Sequence, residues 1–371
     1  MRVTCKGSVF LLLLSCCFSR TFAQQQPGSA PQAGQPLLPS AVAADHRFAL
    51  DVAVTDKSGK AVKGLEQKDF TVLDNGHPQN ILSFKATGGG SETATAVAQP
   101  ADPPVRIILL IDEVNTDFRR VASERDEIKR FLLQNGGTLT HPMSLAFFSD
   151  TGTEVQPSAS RDGNGLLAMF DQHETALRTV RRSEGVYGAL DRFQLSMKAL
   201  QTLVEQEGRL PGRKVVVWIS PGWPILSGPN INLDTKQTGQ IFASIVSIST
   251  ILREARMTIY SIDPLGVSDA GSINQTYFEE FLKPVTVARK TQIGDLALQV
   301  IATQTGGLTL RSSNDIAQQI DRCFADVDAY YTLMLETAPG DEVNTFHTLT
   351  VKVAQGGLTA RTRNGYYSQQ P

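Results

Sequence analysis

Cysteine is nearly absent from this chain. It has four, and Cys5, Cys16 and Cys17 all lie within the first 17 residues. Beyond them only Cys323 is left, which excludes an intramolecular disulfide and a cysteine metal cluster in the rest of the chain. Cys323 shares a helical period with Ile316, Ile320, Phe324 and Val327, the pattern of a buried apolar cysteine. Long apolar runs are missing too: Val9 to Leu14 is too short to span a bilayer, and no later stretch is long and apolar enough. There is no run of lysine and arginine, and 35 basic residues face 37 acidic ones, so no basic field exists for nucleic acid. Gly-x-Gly-x-x-Gly, Walker, His-Glu-x-x-His and Gly-x-Ser-x-Gly signatures are all lacking. The five histidines, His46, His77, His141, His173 and His347, show no ligand spacing.

What is present begins with an address. Arg2 and Lys6 precede the apolar run, and Thr21-Phe22-Ala23 places small residues where a signal peptidase reads, before Gln24-Gln25-Gln26. Residues 1–23 therefore read as a cleaved secretory signal, and the expected location is the periplasm or outside the cell. An uncut anchor and a lipoprotein signal at Cys16 are the alternatives. Loss of the signal removes three basic residues and no acid, which moves the formal charge from −2 to −5.

The remaining chain divides by pattern. Residues 24–45, rich in Gln, Pro, Ala and Gly, read as a linker. Residues 46–86 carry alternating strands (Phe48, Leu50, Val52, Val54) and the tight turn Asp74-Asn75-Gly76. A second linker covers 87–104. From 105 to 326 the strands become continuous apolar runs: Val105 to Ile111, Leu145 to Phe148, Lys214 to Ile219 and Met257 to Ile262. A parallel sheet covered on both faces needs such strands. Between them, Val186, Leu190, Phe193, Met197, Leu200 and Val204 fall on one helix face, as do Ile241, Ile245, Ile248 and Leu252. Residues 327–371 return to alternation. The expected fold is a doubly wound, mostly parallel α/β sheet inserted into a small β sandwich built from the two terminal segments. Neither segment has enough strands to stand alone.

In such a sheet, ligands bind outside the carboxyl ends of the strands. Asp112, Asp150, Ser220 and Asp263 all follow strands there, either as helix caps and turn formers or as site residues. Trp223, in Pro221-Gly222-Trp223-Pro224, lies in a loop at the same edge, where it either meets a partner or covers the strand end. Trp218, within its strand, reads as core.

The run Val105 to Thr116 resembles the opening of a von Willebrand factor A (VWA) domain, in which an apolar strand ends in Asp-x-Ser-x-Ser and those side chains hold Mg²⁺ in a metal-ion-dependent adhesion site. It is still more similar to a bacterial branch, the VWFA-related domain family, through the Asp-x-x-Asn-Thr variant (Asp112, Asn115, Thr116). Val54 to Gly59, Leu65 to Phe70 and the closing Arg363-Asn364-Gly365-Tyr366 match further patterns of that family, so the resemblance spans about 46 to 368. It implies a binding module whose ligand meets the rim of Asn115, Asp150, Ser220, Trp223 and Asp263. The metal pattern is degraded. Val114 replaces the first serine, Ser220-Pro221-Gly222 replaces Thr-Asp-Gly, and no Gly-Thr precedes the helix at 186, Ser183 being the nearest hydroxyl. Asp112 and Thr116 are left as a weak or remnant Mg²⁺ site, and no cofactor is expected. The expected partner is a protein or surface polymer. The same residues also resemble a haloacid-dehalogenase-type phosphatase, with Asp112 as nucleophile; Val114 then stands where the general acid belongs.

Overall fold

The computed structural model describes residues 47–88, 104–116, 118–173, 185–226, 233–264, 277–311, 313–336 and 342–369. The signal, the first linker and residues 89–103 of the second lie outside this set. So do Ser183 and Leu265.

Four strands come first: β1 (Arg47–Thr55), β2 (Phe70–Asp74), β3 (His77–Gln79) and β4 (Ser83–Thr87). The turn after β1 is closed by Asp56, whose Oδ1 accepts the N–H groups of Ser58 and Lys60 at 2.8 and 3.0 Å. The chain then enters β5 (Arg106–Asp112), α1 (Phe118–Leu132), β6 (Thr138–Ser149), β7 (Gly152–Val155), β8 (Ser160–Asp162), α2 (Gly163–Gln172) and α3 (Gly185–Glu207). It continues through β9 (Lys214–Ile219), α4 (Thr235–Glu254), β10 (Met257–Ile262), α5 (Leu298–Gln304), β11 (Thr309–Leu310) and α6 (Ile316–Asp328). Four strands close it: β12 (Tyr330–Glu336), β13 (Phe346–Val353), β14 (Thr359–Arg361) and β15 (Gly365–Tyr367).

The middle region forms a seven-stranded sheet ordered β11-β10-β9-β5-β6-β7, with β8 also on β6. Strands β11, β10, β9, β5 and β6 run parallel, and β7 and β8 are antiparallel additions to β6. Period-two geometry sends alternate residues to opposite faces. Ile108, Leu110, Val216, Trp218 and Ile259 pack under α3, α4 and α5. Ile107, Leu109, Val215, Val217 and Tyr260 pack under α1, α2 and α6. Cys323 is fully buried in the second layer. Burial pushes its thiol far above the ordinary range, which leaves it a packing residue. The sheet is thus doubly wound, as the apolar runs require.

The terminal segments form two more four-stranded sheets, β14-β1-β12-β4 and β15-β13-β2-β3. Every pair in them is antiparallel. Phe48, Leu50, Val52, Phe70, Val72, Tyr331, Leu333 and Tyr366 fill the space between the two sheets. Each sheet combines strands from both ends of the chain, so neither end completes one alone. The chain leaves the sandwich at the end of β4 and re-enters at the start of β12, where Thr87 and Tyr330 are register partners.

Polar contacts fasten the sandwich to the α/β unit. Arg256, at the tight turn into β10, binds Asp51 of β1 through Nη2 and Nε at 2.7 and 3.3 Å. Arg361 of β14 pairs with Asp326 of α6, which also accepts the Tyr260 hydroxyl at 2.7 Å. Gly307 lets α5 approach β10 closely: a Cβ there would meet the Ile259 carbonyl oxygen at 1.8 Å. Among the described residues no helix is long and apolar enough to cross a membrane.

Candidate functional site

Strand β5 ends at the carboxyl edge of the parallel sheet, and its last residue is Asp112. The side chain is fully buried. Its Oδ1 accepts the backbone N–H groups of Val114 and Asn115 at 3.0 and 2.8 Å. Its Oδ2 accepts three side-chain donors: Asn115 Nδ2 at 2.9 Å, Trp218 Nε1 at 3.2 Å and Ser220 Oγ at 2.7 Å. A carboxylate offers about four lone-pair sites, so this one is saturated by the protein. Burial pushes the Asp112 carboxyl above its usual range, and the donors from Asn115, Ser220 and Trp218 oppose that push.

The donors are themselves held. Asn115 Nδ2 also reaches Ser196 Oγ on α3 at 3.0 Å, and Ser196 donates to the Arg192 carbonyl at 2.8 Å. Ser220 accepts the Gly222 N–H at 3.0 Å. Gly222 has φ +90°, and a Cβ there would come within 2.3 Å of Gln299 Nε2, so this turn requires glycine. Gln299 in turn donates to the Pro221 carbonyl at 3.1 Å. Where the metal-binding pattern has a second carboxylate, this chain places a backbone oxygen already in use.

A layer of acid lies beside Asp112. Glu124 of α1 is buried, and neither of its oxygens has a hydrogen-bond partner in regular geometry. Burial first, and then the charges of Asp112, Glu113 and Asp263, hold its carboxyl well above the ordinary range; the nearby Thr116 hydroxyl works in the other direction. Glu113 Oε1 lies 3.1 Å from Nε2 of His173, whose ring stacks on Phe147 at 3.7 Å.

The expected site residues separate into groups. Asp112, Asn115 and Ser220 are bonded together. Thr116 is buried beside Glu124, and Asp263 lies within electrostatic reach of the same carboxyl. Asp150 is half-buried at the start of the β6–β7 hairpin and makes no side-chain bond to the Asp112 cluster. Trp223 corrects an expectation. It is 2 % exposed, packs edge-on against Trp218 at 5.2 Å and donates from Nε1 to the Leu296 carbonyl at 2.6 Å. It covers the strand end and offers no face to a partner. A Trp223→Ala change would open the core, so it does not isolate binding.

Ser196 and Glu124 are not singled out in the sequence, and Trp218 reads only as core. The indole N–H of Trp218 carries polar work that an apolar strand does not advertise. Ser196 lies one residue before Met197 in the apolar stripe of α3. Glu124 shows a signal: it sits three residues after Val121 and four before Ile128, a carboxylate on an apolar helix face.

A Mg²⁺ ion seeks open oxygens in octahedral geometry. At Asp112 it would have to displace donors already in place, and Val114 is packed in the apolar cluster with Phe148 and Trp218. The residues present do not fit that ion. Among the described residues, no three His, Cys, Asp or Glu side chains converge to hold a metal.

No family model matches the chain, and no curated protein matches it. Solved structures similar to it include the human COPII-coat protein Sec24c at 9 % identity, covering 72 % of this chain and 44 % of that one, with a TM-score of 0.32. The pilus adhesin SpaC from Lactobacillus rhamnosus GG is similar at 8 % identity, 84 % and 49 % coverage and a TM-score of 0.33. The VWA domain of SpRpn10 is similar at 14 % identity, 58 % and 95 % coverage and a TM-score of 0.26. The chain spans less than half the length of the first two.

Proposed function

We propose that the chain is an exported, non-catalytic binding module of the VWFA-related kind, which engages a protein or surface polymer through the carboxyl-edge rim of its α/β sheet. The observation that carries the reading is the closed state of Asp112. The carboxylate that a metal-dependent adhesion site would use is enclosed and saturated, and it serves here to pin β5, β9 and α3 together. Recognition then falls to the rim's solvent-facing positions. Thr151 is exposed, and Asp150, Pro221 and Pro224 are half-buried. The signal-like residues 1–23 support export.

The phosphatase reading asks Asp112 to attack phosphorus. A nucleophilic carboxylate needs one oxygen open to substrate, and both oxygens here accept protein donors. Val114, at the position of the general acid, lies in the core.

The test uses a photo-crosslinking amino acid placed at Thr151 on the rim or at Lys57, which is exposed in the sandwich turn after β1. Each variant is expressed in cells with its leader intact. Covalent adducts at the Thr151 position and none at the Lys57 position are expected. Adducts at Lys57 alone would overturn the assignment of the rim. Turnover of p-nitrophenyl phosphate in Mg²⁺ that is lost in Asp112→Asn would overturn the non-catalytic reading.

A further inference from the structure

The closing Arg-x-Gly-Tyr pattern places Arg363 between β14 and β15, where it reaches the groove between α4, α5 and the 3-10 turn Ile293–Leu296. It is 8 % exposed. Its guanidinium makes no hydrogen bond or ion pair with any described residue. A buried charge is normally paired, because removal from water costs far more than any packing returns. The neighbouring cation deepens the problem. Arg253 is also largely buried, its Nε has no partner, and its carboxylate contact, Glu254, stands 3.8 Å away. The third guanidinium nearby, Arg256, is matched by Asp51. Burial, then the charge of Arg253, depresses Arg363 to about 9, and the charge of Asp51 only partly offsets them.

Arg363 forms part of the wall of a partly open pocket with about 20 Å³ of room at its inner end, enough for at least one particle the size of a water molecule. Ser249 and Gln304 line the same hole, and among the described residues neither side chain is engaged elsewhere. They supply a hydroxyl and an amide as donors lining the pocket that Arg363 also lines. The Thr305 hydroxyl is occupied, donating to the Ala302 carbonyl and accepting the Ile259 N–H. Asp295 is the other charged lining residue. One of its oxygens accepts the Gln292 N–H at 2.7 Å, and burial raises its carboxyl to about 6 with no arginine holding it down.

We propose that this cavity binds one compact monovalent anion, with chloride as the type, held by Arg363, Ser249 and Gln304 at the junction of sandwich and α/β unit. The anion neutralises the unpaired member of the arginine cluster and ties β15 to α4 and α5.

The experiment follows thermal unfolding of residues 24–371 in sodium chloride against sodium gluconate at matched ionic strength. A midpoint that rises with chloride and saturates is expected, with no such rise in Arg363→Met. Gln304→Met, which keeps the guanidinium, should fold and show a weakened chloride response. Crystals grown in bromide should give an anomalous peak beside Arg363. Equal midpoints in the two salts for the unaltered chain, or a water and no halide signal in the cavity, would overturn the proposal.

Discussion

Replacing Ser220 with alanine tests the closed carboxylate most directly. Ser220 is fully buried and donates its hydroxyl to Asp112 Oδ2 at 2.7 Å. A hydrogen bond to a charged group contributes about 1.5–3 kcal/mol. Ser220 Oγ also accepts the Gly222 N–H, and Gly222 is half-buried, so water replaces part of that bond. Up to about 1 kcal/mol more is lost there. The expected destabilisation is therefore about 1.5–4 kcal/mol, a large share of the roughly 5–15 kcal/mol usual for a domain. Urea unfolding of residues 24–371 reads it as a lower midpoint at unchanged slope. Ser196→Ala removes the acceptor for Asn115 Nδ2, one bond further out, and should cost about 1 kcal/mol. A Ser220→Ala loss below about 0.5 kcal/mol would refute the view that Asp112 depends on its donors. So would magnesium restoring Ser220→Ala to the unaltered midpoint.

Two further outcomes are expected. Glu124 is an acid whose pKa is raised in the fold, so folding favours its protonated form; its stabilising effect is whole below the unfolded value near 4.5 and is lost as pH rises towards the folded one. Glu124→Gln should therefore flatten the decline in melting temperature above pH 5 and raise that temperature at pH 8; a parallel curve at every pH would sink the assignment. Arg256→Ala leaves the Asp51 carboxylate with the Thr332 hydroxyl and its backbone carbonyl with the Thr362 hydroxyl, and should cost about 3 kcal/mol in chemical denaturation. A loss within the range of a surface ion pair, under about 1 kcal/mol, would show that the junction tolerates an unmatched Asp51.

Much of the fold was legible because the sheet leaves a coarse imprint. Strands covered on both faces have to be apolar throughout, so Lys214 to Ile219 and Met257 to Ile262 could be read directly as β9 and β10. Strand β6 was legible only in its second half. Its first half, from Thr138, is held by the antiparallel β8, a pairing that depends on partners and leaves no run of its own. Asp112 and Ser220 stood out as polar residues at strand ends, and their mutual bond was not readable because it joins positions 108 apart. Trp223 shows the limit at loops. An aromatic in a glycine-proline turn looks the same whether it faces a partner or folds back on the core. Here the Leu296 carbonyl, 73 positions away in sequence, decides together with Trp218.

The pairing of Thr87 with Tyr330 sets a timetable for folding. Strands β1 to β4 emerge early from synthesis, but their sheets lack β12 to β15 until nearly the whole chain exists. Until then the apolar face of Leu50, Val52 and Val72 has nothing to cover it, a state open to aggregation. The entropy of closing a loop grows with its length. A folded α/β unit shortens that loop by bringing its own two ends together. The parallel sheet should therefore form first and act as the clamp that delivers β12 to β1. Slow completion of the sandwich is the natural result of this order.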